Sequence, residues 1–244
     1  MVVFWGACTG SSLRQEPTIA GPSGEVADSA EDGAAKQHLF RVRYAGPQGS
    51  GSLRLVLRLQ SGGFFQLATA DGLGRPLWSL QFEDSSTLFL DHRQQVYCVG
   101  ENDMRLGEVT LAMFPLSSIP RLLLGLLPVE LSGGAQRGES TEYQDAQGRR
   151  WSVRTAGEDD DVAAWTLWVA ESPTLWWTRQ GKGGILSHRD GSQFRWRQVV
   201  EEAMESNLSR LTPPESFRQI SCHAYDLPEF RQDQSASPGD GAAR

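Results

Sequence analysis

The residues able to carry chemistry in this 244-residue chain are few and scattered: three cysteines, Cys8, Cys98 and Cys222, and four histidines, His38, His92, His188 and His223. No histidine has a partner at metal-binding or catalytic spacing. No Gly-x-Ser-x-Gly elbow, His-Glu-x-x-His pair or phosphate-binding glycine loop is present. Three cysteines are too few for a four-thiolate metal centre or a disulfide scaffold. Cys98 and Cys222 either pair in an oxidising compartment or stay as two thiols, at least one of them buried. Glu158, Asp159, Asp160 and Asp161 lack the alternation and glycine turn of a calcium loop and read as solvated. The sequence therefore assigns no catalytic residue, no metal and no cofactor, and predicts a protein that is not an enzyme.

Cys8 is set apart by what precedes it. Gly6 and Ala7 are small, and the stub before them is apolar, a pattern that resembles the lipobox of bacterial lipoproteins, where the cysteine is lipidated. Trp5 stands where an aliphatic side chain is usual, and no basic segment comes before it. Residues 1–8 are thus expected to be a truncated lipoprotein signal whose true start lies upstream; otherwise Cys8 is an ordinary thiol. Residues 9–36 hold Gly, Ser, Ala, Pro, Glu and Asp with almost no large apolar side chain, the composition of a flexible linker of about 30 Å r.m.s. reach. Residues 231–244 read as a disordered tail, leaving 37–230 as one domain with a C-terminal extension.

Composition sets limits on what that domain does. The net charge is -7, from 23 basic and 30 acidic side chains, so nucleic-acid binding is disfavoured. No apolar run reaches the length of a membrane-spanning helix. Leu53, Leu55, Leu57 and Leu59 alternate with Arg54, Val56 and Arg58, and Phe40, Val42 and Tyr44 alternate with Arg41 and Arg43. This is the period of strands with one wet face. Further strands are predicted at 63–69, 77–83, 87–91 and 95–99, and again at 141–145, 151–155, 163–170, 174–178, 184–188 and 194–200, joined by short turns that favour antiparallel pairing. Between the two sets, Ile119, Leu122, Leu123 and Leu126 recur at helical spacing, predicting a helix over Pro115–Leu127. Residues 201–211 carry helical spacing too, so a strand running into a helix is possible there.

Three segments in this order resemble the LolA/LolB-like lipoprotein-localisation family, and within it the LolB-type outer-membrane receptors. Leu67 to Leu80 is similar to that group's third strand, protruding loop and fourth strand, with Leu73 between Gly72 and Gly74 at the loop's exposed leucine. Phe114 to Gly125 looks like its helix over the barrel mouth, and Trp151-Ser152-Val153 after Gly148 falls on a later strand. The segment after Cys98 is shorter than in well-known members, and the chain continues past the final strand. The resemblance implies a curved antiparallel sheet forming an incomplete barrel, closed by short helices over an apolar cavity. It implies a lipid-anchored, monomeric receptor on the periplasmic face of the bacterial outer membrane, which accepts acylated lipoproteins from a LolA-like periplasmic carrier and inserts them into the membrane. The cavity for their acyl chains would be lined by Phe40, Val42, Leu53, Leu55, Leu57, Phe65, Leu67, Trp78, Leu80, Phe82, Ile119, Leu122, Leu123 and Leu126; without the resemblance the same residues read as an ordinary core. Leu73 would enter outer-membrane lipid beside the Cys8 anchor, or else fold back onto the sheet. A lipid or glycolipid carrier of the same fold and a structural envelope lipoprotein are the alternatives.

Overall fold

A computed structural model describes residues 35–222 except 48, 102–113 and 157–160. The expectations placed on Cys8, on the tail, on Glu158 to Asp160, on His223 and on nearly all of the linker lie outside the described residues. The strands are β1 (Lys36–Gly46), β2 (Gly49–Leu59), β3 (Phe65–Ala70), β4 (Pro76–Glu83), β5 (Ser86–Asp91), β6 (Val96–Glu101), β7 (Ser132–Arg137), β8 (Ser140–Gln144), β9 (Arg150–Ala156), β10 (Asp161–Val169), β11 (Ser172–Arg179), β12 (Gly183–His188), β13 (Gln193–Ala203) and β14 (Arg218–Gln219), with one short helix, α1 (Ile119–Leu123). They form one sheet in the order β14-β6-β5-β4-β3-β2-β1-β13-β12-β11-β10-β9-β8-β7. The sheet is curved and does not close, giving an incomplete barrel. Each half is a meander, as expected from its short turns, and β1 seams the halves by pairing with both β2 and β13.

Alternation decides which face is inside. Phe40 and Val42 on β1, Leu53, Leu55 and Leu57 on β2, Phe65 and Leu67 on β3, and Leu80 and Phe82 on β4 are all buried in one cluster, while Arg41, Arg43 and Arg54 between them are exposed. Register also decides which loops share an end. Lys36 is level with Leu59 and, through it, with Phe65, whereas the 71–75 loop follows the far end of β3. The chain thus joins the sheet at one end, and the turns 71–75, 145–149 and 189–192 stand at the other.

Two expectations are corrected. The helix predicted over Pro115–Leu127 is a 3-10 turn at Leu116–Ser118 followed by only five α-helical residues. Gly125 stops it: at φ 80° it donates to the Leu122 carbonyl, and Leu126 N–H reaches back to the Arg121 carbonyl at 2.8 Å, the paired bonds of a glycine C-cap. Leu126 therefore leaves the apolar stripe, and Leu127 takes the buried position. Residues 204–221 form no helix either. The backbone is satisfied by the sheet instead, through Met204 N–H to the Ala35 carbonyl at 2.7 Å, Leu208 N–H to Gln60 Oε1 at 2.8 Å and Leu211 N–H to Gln81 Oε1 at 2.6 Å. Residues 204–222 form a strap across the outer face of β2 to β5, held also by Gln66 Nε2 donating to the Ser209 carbonyl, Arg210 on Glu83 and Phe217 edge-on to His92. The strap ends as β14, parallel to β6, and a Cys98–Cys222 disulfide fastens it with Cα atoms 5.3 Å apart.

Candidate functional site

The apolar inner face runs across both halves of the sheet. Twelve of the residues predicted for an acyl cavity (Phe40, Val42, Leu53, Leu55, Leu57, Phe65, Leu67, Leu80, Phe82, Ile119, Leu122 and Leu123) fall in a single buried cluster. Trp78 packs at its margin and Leu126 lies outside it. These side chains pack on one another and on α1, so the interior is occupied by the protein's own helix.

Sequence reading missed the other half of this face. Trp151 on β9, Trp165 on β10 and Trp177 on β11 are fully buried, with Trp151 and Trp165 centroids 5.2 Å apart and Trp165 stacked on Trp177 at 6.2 Å. Phe114 closes onto the first two at 6.1 and 6.0 Å. The signal was present, since each Trp sits at the inward phase of an alternating strand. Gly184 on β12 makes the room: a Cβ there would collide with the Trp177 indole. The indole N–H groups of Trp165 and Trp177 are buried with no hydrogen-bond partner in the structure, a cost of about 1–3 kcal/mol for each. The Trp177 nitrogen lies against Gly184 of β12.

α1 is held by few polar contacts. Trp196 Nε1 on β13 donates to the Leu123 carbonyl at 3.0 Å, Arg179 Nη2 on β11 to the Gly125 carbonyl at 3.2 Å, and Arg121 Nε to the Leu127 carbonyl at 2.8 Å. These bonds satisfy the carbonyls that a helix end leaves open. Arg179 also bonds the Val162 carbonyl and Asp161, linking the helix end to β10.

At the rim, Leu73 is 82% exposed. Its loop is firmly built: Asp71 Oδ1 accepts from Leu73 N–H at 2.9 Å and Arg75 N–H at 3.0 Å, Asp71 Oδ2 accepts from Arg75 Nε at 2.7 Å, and Gly74 turns the chain at φ 83°. The Arg75 backbone and side-chain donors and the Leu73 N–H hold the Asp71 carboxyl below the ordinary carboxylate range. A second copy of this turn joins β8 to β9. There Asp145 Oδ1 accepts from Gln147 N–H at 2.9 Å and Arg149 N–H at 3.0 Å, Oδ2 accepts from Arg149 Nε at 2.6 Å, and Gly148 has φ 73°. The residue in the place of Leu73 is Gln147. The turn does not need leucine at its tip, and Leu73 finds no core to pack on, so its exposure is a property of the residue chosen.

Among the described residues, no group of three His, Cys, Asp or Glu side chains is placed to hold a metal ion, and no helix is long and apolar enough to cross a membrane.

The fold and interior together define a strapped half-barrel around an apolar centre. Solved structures similar to it are a LolA superfamily protein from Nitrosomonas europaea (7% identity, TM-score 0.48, covering 72% of this chain and 88% of that one) and a candidate outer membrane lipoprotein-sorting protein domain from Vibrio parahaemolyticus (6%, 0.48, 72% and 87%). A DUF1329 family protein from Desulfovibrio piger is also similar (7%, 0.49, 75% and 90%). At these values the matches assign neither a family nor a ligand to this chain. No protein-family model matches the sequence, and no curated protein matches it.

Proposed function

We propose that this protein binds acyl chains against the inner face of its half-barrel and delivers their bearer to a membrane through Leu73, without catalysing a reaction. The observation that carries the reading is an apolar face continuous over both halves of an unclosed sheet and covered by a helix of only five residues, which an acyl ligand would displace. Each buried CH₂ of an acyl chain gains roughly 0.8 kcal/mol, so a few chains of ordinary length outweigh the contacts of α1. The unpartnered Trp165 and Trp177 N–H groups would donate to ester carbonyls of the incoming chains. The resemblance of residues 67–80 and 114–125 to LolB-type receptors makes lipoprotein the preferred cargo, a LolA-like periplasmic carrier its source, the outer membrane its destination, and Cys8 the anchor.

The test is the ligand itself. Protein purified without detergent exchange is extracted with organic solvent and analysed by mass spectrometry. Triacylated lipoprotein supports the receptor reading, free phospholipid or glycolipid a carrier of the same fold. An empty protein that binds no fluorescent fatty acid removes the proposal in favour of a structural envelope role.

A further inference from the structure

On the outer face of β1, β2 and β13, five arginines meet with no acid among them. Arg41 on β1 lies directly opposite Arg54 on β2 and Arg197 on β13, and Arg43 on β1 lies opposite Arg195 on β13. All five are exposed. Directly opposed residues on neighbouring strands have Cβ atoms about 5 Å apart, where like charges repel and destabilise the pair. Elsewhere five arginines sit on carboxylates: Arg75 on Asp71, Arg137 on Glu142, Arg149 on Asp145, Arg179 on Asp161 and Arg210 on Glu83. A chain with net charge -7 has acids to spare, and none is placed here. Water and salt screen part of this repulsion, and a bound anion would offset the rest.

At the rim end of the cluster an open cleft of about 440 Å³ is lined by Arg43, Arg195, Tyr44, Ser50, Ser52 and Gln193. Guanidinium, hydroxyl and amide groups around one hollow are the donor set of a phosphate ester site. The cluster is also continuous with the Leu73 loop, since Arg54 pairs with Ala70, the residue just before Asp71.

We propose that this arginine face is a docking surface for an anionic phospholipid bilayer, with a headgroup phosphate seated in the Arg43–Arg195 cleft while Leu73 enters the apolar layer beside it. The acidic remainder of the protein is repelled by such a surface, so the patch fixes which side of the molecule meets the membrane as well as holding it there. The inference deepens the delivery reading, because it names the lipid surface that Leu73 meets, and it does not depend on what the interior binds.

The experiment is co-sedimentation of the full chain with vesicles of phosphatidylcholine alone and of phosphatidylcholine mixed with phosphatidylglycerol. Binding is expected to the mixed vesicles only, falling as salt rises. The paired changes Arg41→Gln with Arg197→Gln, and Arg43→Gln with Arg195→Gln, are each expected to weaken it about thirty-fold. Both variants should melt at or above the wild-type temperature, because repulsion is relieved. Unchanged binding by both variants, or no binding of the wild type to the mixed vesicles, overturns the proposal. Partial displacement by inorganic phosphate at matched ionic strength is expected, because the free ion competes for the cleft; equal displacement from the Arg43→Gln, Arg195→Gln variant would overturn the seating of a headgroup there. Leu73→Gln is expected to weaken binding while keeping its salt dependence. A protein that carries no acyl ligand yet keeps salt-dependent binding would sink the delivery reading and leave the docking surface standing.

Discussion

Asp71 and Asp145 build one turn in two settings, one with its carboxylate buried against a tryptophan and one with an exposed leucine at its tip. The Asp145 side chain is only 4% exposed, and the Trp151 indole donates to it at 3.0 Å in addition to the Arg149 bonds. Burial acts to raise its pKa and is outweighed by the Trp151 and Arg149 donors, which leave it below the ordinary carboxylate range. With the folded-state pKa depressed, the unfolded chain takes up the proton first. The contribution is therefore complete above about pH 4 and is lost as pH falls through the lower folded value. Asp145→Asn should cost about 2–3 kcal/mol at neutral pH in urea denaturation and should flatten the acid limb of the stability profile. At the other copy, Leu73→Gln reproduces the tip of the Asp145 turn, so folding and acyl binding should be unchanged while transfer of cargo to liposomes drops at least tenfold; transfer at the wild-type rate would exclude a membrane role for Leu73. Leu73 was legible in the sequence because an apolar residue between glycines in a turn has nothing to pack on. The Trp151, Trp165 and Trp177 stack was not, because alternation gives each strand a face but does not bring three strands together.

At the scale of elements, α1 and the strap show where sequence periodicity stops being informative. The run Leu122-Leu123-Leu124-Gly125-Leu126-Leu127 keeps apolar spacing through a residue whose positive φ ends the helix, so the spacing predicts a helix over Pro115–Leu127 where five α-helical residues form. Gly125→Ala should destabilise the protein by about 1–2 kcal/mol, since a Cβ there meets only ordinary contacts and the cost is the left-handed backbone itself. Thermal melts would show it, and an unaltered melt would mean that the α1 C-cap contributes little to stability. β7 escaped notice for the opposite reason: Ser-Gly-Gly-Ala-Gln-Arg is exposed at every position and carries no apolar phase to detect. The strap was invisible because it is held by single side-chain amides, Gln60, Gln66 and Gln81, that reach it from 130 to 148 residues away. Its disulfide closes a separation of 124 residues, and by the chain-entropy argument cross-linking so long a loop stabilises by up to about 5 kcal/mol. Cys222→Ser should lower the urea midpoint markedly and speed amide exchange along 208–220, and mass spectrometry under non-reducing conditions should find the wild-type chain two hydrogens lighter than the reduced one.

The whole molecule is an open sheet whose two halves are related by one shared strand. That much of the architecture follows from alternation and short turns, since two meanders with apolar inner faces must cover one another or a common filling. Closure order does not follow, because nothing local in β1 announces that it will pair with β13 across 147 residues or more of chain. The position of β1 has one more result, and it concerns reach. The chain joins the sheet at Lys36, level with Phe65, whereas Leu73 projects from the opposite end, about 25 Å away along the strand direction at about 3.4 Å per residue. A molecule fastened to a membrane through Cys8 and touching the same membrane with Leu73 must therefore run its leash the full height of the domain. A flexible chain as long as residues 9–34 would have an r.m.s. span of about 28 Å, matched to that height with little to spare. Deleting residues 12–30 leaves about 24 Å even at full stretch, and should abolish transfer from anchored protein while leaving acyl binding intact. Unimpaired transfer by that shortened form would mean that tether and tip do not work on the same bilayer at once. The length of an apparently featureless segment is on this view a setting of the device, fixed by which end of the barrel the first strand happens to start from.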